Sequence, residues 1–240
     1  MKIQMEIESN EVENRPTRNA WQVVQTCFNV LNHIMACIVA IYMSVMCTNA
    51  GNKAVTWHVW LCTIGYQLLM TQAILVFYSE NVWSKQCTRQ SKKTIHWVLQ
   101  AVGSSVAILG IFIEYIGREL IERETKKPKP HFSSTHSVIG LIAAIFTMIG
   151  MFNGISALWS IKLKKYARPV YFKLAHNLTG TTAFILGMIA LFIGYDKGYM
   201  KKNSSDEIRL GLQILAIITV ILSLIGAWRT AINHIRNVMN

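Results

Sequence analysis

Charge is scarce in this sequence. Only 15% of its 240 residues are charged, against 52% that are hydrophobic, and the acids number 12. A water-soluble domain carries about 25% charged residues, so this composition excludes one and points to a chain that crosses a bilayer several times. Length then sets the number of spans rather than the number of domains. Cysteine is sparse as well, with residues at 27, 37, 47, 62 and 87, no C-x-x-C pair, and most of them inside apolar runs. They read as small hydrophobes, which excludes a disulfide framework and a zinc site. No Glu-x-x-His occurs, and Glu114 is the only acid inside an apolar run, so a carboxylate-bridged metal pair lacks its ligands. The N-terminal stretch has no small-residue cleavage site and carries Glu6, Glu8, Glu11 and Glu13 where a secretory signal would be basic. The first apolar run is therefore expected to be retained.

What is present is a series of six apolar runs, at 21–47, 56–77, 94–116, 134–161, 170–195 and 208–228. Each is long enough to span a hydrocarbon core as a helix. The expected architecture is an all-α integral membrane protein, with six transmembrane helices over 19–230 and the second to fifth forming a central four-helix bundle. A mobile cytoplasmic tail, 1–18, precedes it, and a cytoplasmic tail, 231–240, follows. Gln22, Gln25, Asn29, Asn32 and His33 make the first half of run one too polar to face lipid all round, so that half is expected to pack inward. Pro128 and Pro130 argue against a continuous helix through RELIERETKKPKPH, whereas Pro169 suits the start of the fifth helix.

The formal net charge of +12 could suggest a nucleic-acid partner, but the lysines and arginines lie in short segments between apolar runs. That is a topology signal. With the N-terminus inside, 14 Lys and Arg fall on the inner side and 10 on the outer, which places both termini in the cytoplasm. The sequon Asn203-Ser204-Ser205 then falls on the outer side.

Four runs open on a histidine: His58, His96, His136 and His176. Helices that alternate in direction put His58 and His136 at the outer level and His96 and His176 at the inner one. The spacings agree, since His58 to His96 is 38 residues and His136 to His176 is 40, about one span plus one loop. Gly65, Gly103, Gly140 and Gly180 lie one or two turns further along the same faces. A histidine with a glycine beside it offers an axial ligand and space for a porphyrin edge. Singly, a histidine in an apolar helix is more often an interhelical hydrogen-bonding group, and glycines at helical spacing are more often packing contacts. Four at matched depths demand another reason, because ionisable groups in a membrane are costly. His33 is read as a hydrogen-bonding residue beside the inner pair, His131 as a loop residue either near the outer pair or, as the preferred reading, solvated, and His234 as solvent-facing.

Trp57-His58, the segment Leu68-Leu69-Met70-Thr71-Gln72-Ala73-Ile74-Leu75-Val76-Phe77, and His96-Trp97-Val98-Leu99-Gln100 resemble the cytochrome b561 family, most closely its short domain-only transmembrane reductases. His136-Ser137-x-x-Gly140 and His176-x-x-x-Gly180 are similar to the family's other ligand segments, although Val138 stands where many members have tryptophan. The resemblance implies two haem b groups, one held by His58 with His136 and the other by His96 with His176. It implies an ascorbate-dependent oxidoreductase that takes electrons in the cytoplasm and passes them to monodehydroascorbate or ferric iron across the membrane. It also implies residence in the endoplasmic reticulum or a vesicle membrane.

Two histidines per iron fill both axial positions, which favours outer-sphere electron transfer over oxygen chemistry. Lys92 and Lys93 precede His96, and Arg168 follows Lys162, Lys164 and Lys165 just before run five. This basic surface can steer anionic ascorbate, although positive-inside topology would place the same residues there. A membrane transporter or proton-relay channel with structural histidines is the alternative from another class. A cytochrome subunit of a larger redox complex is a third reading, and a homodimer is left open.

Overall fold

The computed structural model describes residues 19–128 and 130–239. The expected tail, 1–18, lies outside them. Among the described residues the chain is helical throughout, without strands. Helix α1, Ala20–Asn49, starts on a capping box in which Asn19 accepts from the Gln22 amide while the Gln22 side chain accepts from the Asn19 amide, so the first unpaired donors of the helix are satisfied locally. Its polar first half packs inward as expected. Gln25, Asn29 and Asn32 are buried; the Asn32 amide donates to Ser223 at 2.9 Å, and Asn29 accepts from the Val82 backbone at 3.0 Å.

Helix α2 occupies 54–75 and is not uniform. An α-helical start, Ala54–Cys62, passes into a π-helical stretch, Thr63–Met70, before α-geometry returns at Thr71–Leu75. A π turn holds one more residue than an α turn and is rare except as a local bulge. Here it carries Tyr66 and Gln67, both buried, into the bundle.

Helix α3, Arg89–Thr125, is longer than the expected 94–116, because the mixed-charge segment after Ile116 continues as helix. Its residues are good helix formers, and Glu114 and Arg118 pair one turn apart at 2.8 Å. The helix stops at Lys126, which adopts a left-handed conformation (φ 54°), with Pro128 just beyond. Helix α4, Thr135–Leu158, begins on a Ser134–Ser137 capping box. After a short 3-10 turn, Lys162–Lys165, helix α5, Pro169–Gly194, starts on its proline. A six-residue helix, Gly198–Asn203, precedes α6, Asp206–Met239. Residues 231–239, expected as a tail, are therefore the last turns of α6.

Helices α1, α3, α4, α5 and α6 are each long and apolar enough to cross a membrane. Their outward faces carry exposed Phe112, Phe152, Ile155, Ile221 and others, an apolar surface that suits lipid rather than water. In the interior α2 lies along α3, α4 along α5, and α6 closes against α5 and α1. The α2–α3 approach is close: a methyl group at Gly65 would stand 2.7 Å from the Gly103 carbonyl and 2.8 Å from the Ala107 Cβ. Gly65 and Gly103 are thus packing contacts, not the porphyrin clearances expected of them. Gly65→Val should destabilise the detergent-solubilised protein by about 1–3 kcal/mol through overpacking. An unchanged thermal midpoint would mean that the two helices separate without cost.

Candidate haem-binding site

Each of the four span-opening histidines makes the same bond. The Nδ1 of His58 bonds the Gly110 carbonyl at 3.2 Å, that of His96 the Ala73 carbonyl at 2.8 Å, that of His136 the Ala190 carbonyl at 2.9 Å, and that of His176 the Gly150 carbonyl at 3.1 Å. A carbonyl only accepts, so each Nδ1 carries the proton and each Nε2 keeps its lone pair. Among the described residues no hydrogen bond reaches any of these Nε2 atoms. That is the state required of a metal-ligating imidazole.

The bonds are reciprocal within two helix pairs. α2 and α3 exchange histidine for carbonyl, as do α4 and α5. From each histidine to the carbonyl on the same helix is 14 residues on α3 (His96 to Gly110), α4 (His136 to Gly150) and α5 (His176 to Ala190), but 15 on α2 (His58 to Ala73). Fourteen residues of α-helix rise about 21 Å. The extra residue on α2 coincides with its π stretch, which takes up one residue without adding the corresponding rise. All four helices thereby mark the same two depths.

At each depth two rings face one another. The centroids of His58 and His136 are 6.0 Å apart with their planes at 83°, and those of His96 and His176 are 6.0 Å apart at 84°. Two metal–imidazole bonds of about 2 Å laid end to end, with half a ring beyond each nitrogen, fill roughly that separation. The residues present therefore fit a bis-imidazole metal centre at each level.

The surroundings divide the glycines. Nothing lies within 4 Å of a methyl group at Gly140, and at Gly180 only the His176 ring approaches, at 3.9 Å, so these two do leave open space. Gly154 and Gly194, which the sequence did not single out, face the rings themselves: a methyl group at either would stand 3.1 Å from the Cε1 of His176 or His136. Around His58 and His136 a cavity of about 550 Å³ opens, reaching Tyr66 at one end and Glu114, Arg118 and His131 at the other. This volume is within the range of small-molecule and cofactor sites.

His131 is not the solvated loop residue expected. Its ring packs on Tyr115 with centroids 4.3 Å apart, and its Nε2 bonds the Glu119 carboxylate at 3.0 Å. The unforeseen continuation of α3 brings Glu119 there. His33 bonds the buried Asn81 side chain at 2.9 Å, and Asn81 in turn donates to the Leu75 carbonyl and to Ser84. This ties the loop after α2 to α1 on the side of the His96 level. Phe77 lies against the His96 ring at 5.1 Å. Lys92 and Lys93 are half-buried in the first turns of α3. Arg168 donates to the Asn237 carbonyl near the end of α6 at 3.1 Å and lies over Tyr171. Asn203 of the sequon donates to the Tyr199 carbonyl at 2.7 Å, and Ser204 bonds Tyr42.

The family model described as eukaryotic cytochrome b561 matches residues 57–202, more than half the chain and all four of these histidines. The chain belongs to that family. Cytochromes b561 are membrane haem proteins of electron transfer. Among curated relatives, human transmembrane reductase CYB561D2 is 25% identical over 72% of this chain and 75% of its own length. Human probable transmembrane reductase CYB561D1 is 26% identical over 50% of this chain and 49% of its own. Mouse plasma membrane ascorbate-dependent reductase CYBRD1 is 29% identical over 40% of this chain and 31% of its own. The resemblance to short domain-only reductases is therefore borne out. As a test of the ring clearances, Gly154→Val should push the His176 imidazole aside and lower haem absorbance per chain in the purified protein. Full absorbance in a folded Gly154→Val protein would show that this ring's position is immaterial to cofactor binding.

Proposed function

We propose that this chain is a di-haem b-type transmembrane oxidoreductase that accepts electrons from ascorbate on one face and delivers them to monodehydroascorbate or ferric iron on the other. The observation that carries the reading is the pair of facing imidazole couples, each 6.0 Å across and each with its Nδ1 protons tied to carbonyls. In this reading His58 with His136 and His96 with His176 supply the axial ligands. When bound, each haem supplies one reversible ferric–ferrous couple. Held between His58 and His136, or between His96 and His176, a haem would have no open site for oxygen and would supply electron transfer alone. The carbonyl bonds hold the rings in one tautomer and orientation through both oxidation states, so little has to reorganise when charge moves.

Residues 54–75 count as a sixth span in this reading, apolar and continuously helical through their π stretch. That puts both termini on one side, which loop charge makes the cytoplasm, and the endoplasmic reticulum or a vesicle membrane is the assigned residence. The His96 level then faces the cytoplasm. Lys92 and Lys93 stand about one turn before His96, and Arg168 caps α5 about two turns before His176. Their positive potential draws an anionic reductant toward that level. The relatives' names, transmembrane reductase and plasma membrane ascorbate-dependent reductase, support the same class of reaction.

The reading is tested by haem counting joined to stopped-flow reduction with ascorbate. Wild type should carry two haems per chain. His96→Ala should remove the centre reduced first from the cytoplasmic side, and His58→Ala the other. The Lys92→Gln, Lys93→Gln, Arg168→Gln triple variant should take up electrons more slowly, with less sensitivity to salt than wild type, because exposed charges are screened over about 8 Å at physiological ionic strength. Haem content near zero in haem-supplied expression would end the reading. Unchanged rates in a correctly inserted triple variant would remove those three residues from it.

A further inference from the structure

Tyr66 is a buried phenol that the haem-ligand reading does not use. It is 3% exposed, sits in the π stretch of α2, and makes one hydrogen bond among the described residues, to the Thr147 hydroxyl of α4 at 2.9 Å. On the other side its ring lies directly against the backbone of Gly187 in α5, where any side chain would overlap it. The four helices measure its depth. On α2, residue 66 is about midway between His58 and Ala73. On α5, Gly187 is one turn from Ala190, the carbonyl that marks the His58–His136 level. On α4, Thr147 is one turn from Gly150, the carbonyl that marks the His96–His176 level. The levels are about 21 Å apart, and one turn is about 5 Å. Ring and hydroxyl together therefore extend along the bundle axis through the middle of the gap.

We propose, on the di-haem reading above, that Tyr66 is the bridging residue through which electrons pass between the two histidine levels. With haem held by His96 and His176 at one level and by His58 and His136 at the other, the first would give up one electron and the second would take it up, so that oxidation at one level balances reduction at the other. Tyr66 itself is neither oxidised nor deprotonated. Oxidation of a phenol requires a base for its proton, and its partner is another hydroxyl, with no carboxylate or imidazole bonded to it. Its contribution is a dense, covalently connected path where an aliphatic side chain would leave a gap without contact. The π stretch serves this arrangement, since its extra residue brings Tyr66 inward while His58 and Ala73 keep the depths set by the other three helices. Thr147 fixes the ring along the axis, and Gly187 leaves it room.

The experiment compares wild type with Tyr66→Phe, Tyr66→Leu, Tyr66→Met and Thr147→Val as haem-loaded, purified proteins. It reads haems per chain, both midpoint potentials, the thermal midpoint, and the rate at which an electron photo-injected at the His96 level equilibrates with the other. Tyr66→Phe keeps the ring, so it should lower the thermal midpoint while leaving the rate within about twofold. Tyr66→Leu should slow the rate by about tenfold with both potentials unchanged. Thr147→Val removes the same hydrogen bond as Tyr66→Phe and should likewise leave the rate within about twofold. If Tyr66→Leu loses haem, Tyr66→Met carries the test, because it fills much of the same space without a ring and should slow the rate about as much as Tyr66→Leu. A Tyr66→Leu protein with two haems and the wild-type rate overturns the bridge and leaves the di-haem reading standing. A wild type with fewer than two haems fails the di-haem reading itself.

Discussion

The hydrogen bond from each histidine Nδ1 to a main-chain carbonyl of the neighbouring helix is the constraint from which the rest of this structure follows. It costs nothing in unsatisfied groups, since imidazole and carbonyl are both placed where water is scarce and each answers the other. It selects one tautomer, leaves Nε2 its lone pair, and holds each ring with its centroid 6.0 Å from that of the opposite ring. Because the bonds are exchanged reciprocally between α2 and α3 and between α4 and α5, the histidines that form the site also pin the helices that carry them. Site and bundle are one set of contacts.

The reciprocity imposes a ruler. A helix that gives its histidine at one depth must present a carbonyl at the other, so sliding any helix by one residue would break two bonds and misplace two rings. Three helices satisfy this with 14 residues and straight α-geometry, whereas α2 satisfies it with 15 and a π stretch. The irregular helix is thus the one that had an extra residue to accommodate, and its bulge brings Tyr66 and Gln67 into the interior. Gln67 donates to Thr219 of α6 at 3.1 Å, so the same bulge also ties the bundle to its closing helix.

Much of this was legible in the sequence, and the parts that were not share a cause. The histidines could be sorted into two depths because span length and helix direction are arithmetic on apolar runs. The inward face of α1 was readable because amides in a span have nowhere else to go. The continuation of α3 past Ile116 is hard to read from the sequence because Pro128 and Pro130 announce a break without marking where it falls, and with the continuation comes the Glu119 partner that draws His131 out of solvent. The glycines were half right. Gly140 and Gly180 do leave space, but Gly65 and Gly103 face α3 and α2 across a tight contact, which periodicity along one helix cannot distinguish from an open face. Gly154 and Gly194 were invisible for the complementary reason: they clear a ring belonging to another helix. The π stretch leaves no mark in composition, since it follows from matching four helices to two depths.

A structure of the haem-loaded protein at a resolution that locates iron tests the account most directly. It should contain two irons about 21 Å apart, one between the Nε2 atoms of His58 and His136 and the other between those of His96 and His176, with all four Nδ1–carbonyl bonds kept. A single iron, or an iron that pairs any of these imidazoles with a different ligand, would contradict it.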